Sequence, residues 1–274
     1  MQVKKAPLII GILLAVLSLV CVIALLIHSG IVKIEMPDNI FSTTANSGPD
    51  DSGTTGTGEN GNTAEAETVT QYVPATDAAG NYKTPVDFER VWESNTDMYA
   101  WIKIPGTRID YPIAQSAIDD NQYLRHDLNG KFSNDGVLFT EHVYNSKSFD
   151  DPVTVIYGHN MIDGDMFGTL QQIYSDETTF RQMDDIIIYT PEKEIRYKVI
   201  AAAPYDNTHI LYHYGKFENP ESVGEFLRSV QHSRDFSVNV RDDIEVNNSD
   251  RILVLSTCLK GDYSRRYLVL AKKI

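Results

Sequence analysis

The stretch VLSTCLKGDYSRRYLVLAKKI, Val254 to Ile274, closes the chain and decides how the rest is read. "RILVL" before its cysteine is apolar enough for a buried strand, and "RYLVLAKK" reads as a second one. If the two pair antiparallel through "LKGDYS", Cys258 and Arg266 face each other across the loop mouth. A cysteine at the end of such a strand is ordinarily a small packed hydrophobe. An arginine beside a thiolate does something else: it favours the ionised sulfur and can donate to an oxyanion forming on a carbonyl. At this point a surface arginine beside a packed cysteine explains the stretch equally well.

Further short apolar runs precede this pair. "MYAWIKIPGTRIDYPIAQ" splits into two β-rich segments at Pro105-Gly106-Thr107, and "DGVLFTEH", "PVTVIYGH" and "DIIIYTPEKEIRYKVIAAAPY" supply more strands. Helical spacing is confined to three places. "TPVDFERVWESN" carries a capping pattern at Thr84 and Asp87 with Pro85 at the first helical position. Met166 to Tyr174 is a second candidate, and Pro220 to His232 a third, with Val223, Phe226, Leu227 and Val230 on one face. Many short strands with few helices indicate a closed or nearly closed β-barrel of about 190 residues.

The N-terminal part is of another kind. From Ala6 to Ile27 no residue is charged, and about 20 apolar residues suffice to cross a bilayer as a helix. The apolar core is too long for a cleaved signal peptide, and no small-residue cleavage site follows it. The expected organisation is a cytoplasmic N-terminus (1–5), a single-pass membrane anchor (6–28), a Gly/Ser/Thr/Asn-rich flexible linker (29–80) and a folded domain (81–274). Lys4 and Lys5 place the N-terminus inside and the domain on the extracytoplasmic side of the cell membrane. The net charge of −14 argues against a broad grip on nucleic acid or anionic lipid.

The chain has two cysteines, and Cys21 sits inside the apolar run. The domain therefore has no internal partner for Cys258, and an odd thiol in an exported protein suggests intermolecular pairing or reactivity. A nucleophilic cysteine needs a base or an imidazolium. His28 lies at the membrane boundary. His126, His209, His213 and His232 lie in polar loop or helix surroundings, where a solvated ring is expected. His142 follows the strand "LFTEH", and His159 ends "VTVIYGHN", after a glycine that clears space. His159 is preferred, because it is delivered at a strand end as Cys258 is. No CxxC, HExxH, P-loop or GxGxxG occurs, and "DGDMFGTL" lacks calcium-loop spacing, so neither metal nor cofactor is expected.

"LSTC" ending a strand, Arg266 soon after it and "YGHNM" about a hundred residues upstream resemble the signature of sortases, cysteine transpeptidases of the Gram-positive cell surface. "NTDMYAWIKIPGTRIDYPIAQ", "YLRHDLNGK", "GVLFTEH", "YGHNMIDGDMFGTL" and the helix-bearing insert before the cysteine strand resemble the class B branch, from about Thr84 to the C-terminus. The resemblance implies an eight-stranded sortase-type β-barrel with an N-terminal helix and that insert. It implies Cys258 as nucleophile, His159 as acid and base, and Arg266 as oxyanion stabiliser. Arg266 is chosen over Arg265 because it directly precedes Tyr267, and only one of two neighbours on a strand can face the cleft. Tyr157, Ser256 and Thr257 are implied as groove residues, with strand packing as their bland alternative.

The implied partners are surface proteins bearing a C-terminal sorting signal, cleaved after Thr, and a peptidoglycan-precursor amine that takes up the acyl group. Two departures from the family pattern stand out. Val254 replaces a Thr and loses its hydroxyl, while Leu259 and Lys260 stand where some class B members carry acids. A cysteine endopeptidase on the same barrel, in which water resolves the thioester, would use the same residues. An inactive surface assembly module is the third possibility, against which the presence of Cys258, His159 and Arg266 stands.

Overall fold

The computed structural model describes residues 76–77, 80–233 and 237–274. The expected cytoplasmic N-terminus and membrane anchor lie outside the described residues, as does the linker apart from residues 76, 77 and 80. Those last residues already take part in structure, since Thr76 bridges Tyr82 around a turn closed by Asp77 and Asn81.

The apolar runs form β1 (Met98–Lys103), β2 (Asp110–Ala114), β3 (Leu138–Phe139), β4 (Val153–Tyr157), β5 (Asp185–Tyr189), β6 (Glu194–Tyr205), β7 (Asn239–Val240), β8 (Ile252–Leu259) and β9 (Asp262–Lys273). Their order is β5-β1-β2-β3-β4-β8-β9-β6, and β5 pairs with β6 to close the ring. The expected eight-stranded barrel is therefore present. β7 adds two residues to β6, at Ala201 and Ala202, beyond the end of β5. Closure through β5 and β6 removes the two free edges that an open sheet of these strands would present.

Alternation along β8 sorts its residues between two cores. Leu253 and Leu255 join Ile156, Tyr197, Tyr267 and Val269 inside the barrel. Ile252 and Val254 face the other way, against Val153, Val155, Leu268 and Leu270. That outer face is covered by the insert between β6 and β8, through Ile210, Leu211, Phe217, Val223, Phe226 and Val230. Burying a side chain of this size contributes about 1.5–3 kcal/mol, so the outer core holds the insert firmly. A bulge between Val199 and Ala201 re-phases β6. Val199 faces inward, whereas Ala201, Ala203 and Tyr205 face outward beside Leu268 and Arg266.

The helices are shorter than their sequence patterns. α1 (Phe88–Ser94) is capped by Asp87, whose carboxylate accepts from Arg90 N at 3.1 Å. Thr84, the expected cap, instead accepts from Val86 N at 3.2 Å, so Pro85 lies before the helix. An acid at the cap also suits the positive end of the helix. Of Met166 to Tyr174 only α2 (Leu170–Tyr174) is helical. Met166 has φ 52°, outside the helical region, and its backbone bridges to Asn160. α3 (Glu177–Gln182), capped by Asp176, and α4 (Ile210–His213), capped by His209, were not expected from periodicity. α5 (Pro220–Gln231) has Asn219 as cap and Pro220 in the first turn. Among the described residues no helix is long and apolar enough to cross a membrane.

Candidate active site

Two strand pairings bring the reactive residues together. β4 and β8 run parallel, from Val153↔Ile252 to Tyr157↔Ser256. Gly158 N donates to Ser256 O at 3.1 Å, so the chain leaves β4 still against β8 and sets His159 level with Cys258. A parallel pair puts both C-terminal strand ends on one rim. β8 and β9 run antiparallel and pair Cys258 directly with Arg266.

Beyond that pair the register jumps to Leu259↔Asp262, and residues 263–265 bulge out of β9. The Arg266 guanidinium folds under the bulge. Its Nη1 donates to the carbonyls of Tyr263 at 3.4 Å and Arg265 at 3.2 Å, and it lies 3.9 Å from Cys258 Sγ. A fixed positive charge thus stands beside the Cys258 sulfur, where it favours the thiolate. Cys258 is half-buried and a free thiol.

His159 is placed by a close approach. A Cβ at Gly158 would lie 2.3 Å from Leu138 Cδ2 and 2.7 Å from Phe167 Cδ2, so only glycine lets the strand end pack there. His159 O accepts from Phe167 N at 2.9 Å, and its Nε2 lies 2.7 Å from the carbonyl of Leu124. A carbonyl only accepts, so Nε2 carries a proton in this arrangement and Nδ1 is the nitrogen left to exchange one.

Two amides pin the cysteine backbone. Asn160 Nδ2 donates to Cys258 O at 2.8 Å, and Gln171 Oε1 of α2 accepts from Lys260 N at 2.9 Å. Neither was singled out in the sequence. Asn160 adjoins His159 yet carries no local pattern that foretells a contact 98 positions away.

The other expected residues divide by face. Tyr157 and Ser256 are register partners on the outer face, the side of Cys258. Thr257 alternates to the inner face beside Tyr267, buried, with its hydroxyl unpaired. His142 is bound to Asp120, Nδ1 to Oδ1 2.7 Å, and its own N–H meets the same oxygen at 2.6 Å. His209, expected to be solvated, does keep 41% of its side chain exposed, and it also meets the buried Glu141 carboxylate at 2.9 Å. Glu141 also accepts from Tyr157 Oη at 3.0 Å. Burial, and then the Glu141 charge, push the Tyr157 hydroxyl well above its ordinary pKa and keep it a donor. Among the described residues no group of His, Cys, Asp and Glu is placed to hold a metal ion.

The family described as the sortase domain matches residues 102–274. Sortase B of Listeria monocytogenes is 34% identical over 188 residues, covering 66% of this chain and 70% of that one. The crystal structure of Clostridium perfringens sortase B superimposes with a TM-score of 0.59 at 31% identity, over 68% of this chain and 99% of that one. A Staphylococcus aureus sortase B solved with its substrate gives 0.58 at 26% identity, over 68% and 84%.

Proposed function

This chain belongs to the sortase family, in its class B branch of cysteine transpeptidases, and from that premise we propose that Cys258, His159 and Arg266 carry its reaction. The observation that carries the assignment is the rim itself. Parallel β4–β8 sets His159 level with Cys258, and antiparallel β8–β9 sets Arg266 Nη1 3.9 Å from the same sulfur.

In the proposed reaction His159 Nδ1 takes the Cys258 thiol proton, and the resulting thiolate attacks the carbonyl carbon of the Thr in a C-terminal sorting signal. The C=O electron pair moves onto oxygen, where Arg266 meets the charge. As the tetrahedral adduct collapses, the C–N bond breaks and the leaving amine takes a proton from His159 Nδ1. A thioester on Cys258 remains. An amine of a cell-wall precursor then attacks that thioester, gives its proton back to His159 and releases the sulfur. No redox step is involved, and the new amide replaces the one cleaved. The substrate bound to the Staphylococcus aureus relative supports a peptide in the groove.

Tyr157 and Ser256 line that groove on the nucleophile's face. The Thr257 side chain faces the barrel interior and serves packing. His159 is preferred to His142 because its strand end adjoins Cys258, whereas His142 is tied to Asp120 in the β2–β3 connection. The proposal extends to residues 6–28 as a membrane anchor that leaves this domain outside the cell. It rests there on the uncharged run and the flanking Lys4 and Lys5.

The test is to incubate the protein with a panel of Thr-containing peptides and candidate amines, and to separate ligated from hydrolysed product by mass. Amide-ligated product that disappears in Cys258→Ala and His159→Ala supports the assignment. Hydrolysis alone, with every amine ignored, would make the protein a peptidase in practice. Loss of activity in His142→Ala but not in His159→Ala would overturn the choice of histidine.

A further inference from the structure

Glu141 is the one side chain with a formal charge in the buried set among the described residues, at 9% exposed. The proposed reaction gives it no task. A buried carboxylate is costly unless it is paired and hydrogen-bonded, and this one is held from two sides. Oε2 accepts from Tyr157 Oη at 3.0 Å, and Oε1 meets His209 Nε2 at 2.9 Å.

The two partners belong to different parts of the protein. Tyr157 ends β4, and its register partner Ser256 lies two residues before Cys258 on the same face. Its ring stacks on Phe139 at 5.4 Å, and it lies within the electrostatic reach of Arg266. His209 caps α4 with its other nitrogen, Nδ1 accepting from Tyr212 N at 3.2 Å. It therefore stands where the insert leaves the barrel. The His209 ring packs 5.0 Å from Tyr144 and 6.4 Å from Tyr157, with Tyr212 edge-on at 6.5 Å.

Charge and geometry agree. An Nδ1 that accepts from a backbone N–H leaves Nε2 as the protonated nitrogen, directed at the carboxylate. Remaining groups around the contact are Tyr144, with Lys216 5.6 Å over its ring, and Asp120, whose charge reaches the Tyr144 hydroxyl. The contact thus ties the β3–β4 loop, the end of β4 and the start of the insert at a single carboxylate, one hydrogen bond from Tyr157, the register partner of Ser256.

We infer that Glu141 is a positioning residue of the peptide groove: through Tyr157 and His209 it locks the start of the insert onto the barrel face next to Cys258, and so sets peptide affinity rather than the chemical step. This rests on the sortase reading given above. The groove wall is built from two chain segments 68 positions apart. Without the carboxylate the Tyr157 hydroxyl loses its acceptor, and α4 loses the side-chain tie of its capping residue.

The test uses steady-state kinetics on the full chain, with whichever fluorogenic peptide of a Thr-containing panel is cleaved fastest. Glu141→Gln keeps the shape and an acceptor for Tyr157 but removes the charge facing His209. It should raise KM about tenfold and leave kcat within about twofold. His209→Gln, at a partly exposed position, should do the same, and the double variant should add little to either single one. Peptide affinity measured in a Cys258→Ala background should weaken in parallel. Unchanged KM in both single variants, or a fall in kcat at constant KM, would overturn the inference alone. Multiplying effects in the double variant would also overturn it. Cleavage of no peptide by any form, the unaltered protein included, would overturn both this inference and the reading beneath it.

Discussion

Arg266 Nη1 stands 3.9 Å from Cys258 Sγ, and the two residues are direct partners across β8 and β9. The neighbouring Arg265 belongs to the bulge that folds over this guanidinium, and it lends Arg266 its carbonyl. The two arginines should therefore separate sharply on substitution. Arg266→Ala should lower kcat/KM by about 10²–10³, the usual loss when one oxyanion donor is removed. Arg266→Lys should recover only part of it, since a single ammonium cannot reach the bulge carbonyls and the sulfur together. Arg265→Ala should stay within about threefold. Kinetics on the same peptide for all three variants check this.

Asn160 joins the strand ends that carry His159 and Cys258, since it follows His159 and donates to the Cys258 carbonyl at 2.8 Å. Losing one such bond costs about 1 kcal/mol, too little to unfold the domain. Asn160→Ala should lower kcat about tenfold with KM changed less than threefold. Asn160→Asp sets a carboxylate against a carbonyl and should be worse near neutral pH. It should recover relative to Asn160→Ala as the pH falls and the acid regains a proton to donate. The rate of Cys258 alkylation by iodoacetamide against pH reads this out without any peptide.

Gly158→Ala should destabilise the protein by about 1–3 kcal/mol, the range for overfilling a packed core. The added methyl meets Leu138 and Phe167, both fully buried, so neither can swing away into solvent. Urea denaturation monitored by tyrosine and tryptophan fluorescence measures the loss. Because the methyl sits on the residue directly before His159 and must shift the backbone there to clear its neighbours, activity should fall further than stability alone accounts for.

Stability should decline in alkali. Burial, and then the Asp97 carboxylate that its hydroxyl meets at 2.8 Å, push Tyr123 up to about 12. Burial likewise raises Tyr99, Tyr174, Tyr197 and Tyr267. An unfolded tyrosine ionises near pH 10, so the stabilisation is whole below about pH 10 and fades as the pH climbs through 10 to 12. Urea midpoints should fall across that window, and Tyr123→Phe should make the fall shallower.

Much of this was legible in the sequence. The eight barrel strands were, because alternation and short apolar runs report burial directly, and so was α5, whose apolar face matches the outer core; the two-residue β7 was not. Cys258 and Arg266 could be paired by eye, since a local hairpin joins them. The parallel neighbour β4 could not be placed from pattern alone, because about a hundred residues separate it from β8. The same limit hid Glu141 and His209. Each is polar and loop-borne, and only the fold makes one the partner of the other. α2 came out shorter than its pattern because tertiary packing around Gly168 and the Asn160–Met166 bridge overrode helical spacing. Thr257 was grouped with Ser256 by position, whereas alternation sends its side chain to the other face.

The central claim is that Cys258 forms an acyl enzyme which an amine resolves. Intact-protein mass spectrometry after mixing with a cleavable Thr-containing peptide tests it most directly. The account predicts a mass increase equal to the peptide's acyl part, located on Cys258 and removed when an amine such as triglycine is added, with ligated product appearing in step. Peptide cleavage without any adduct, or cleavage that persists in Cys258→Ala, would contradict it.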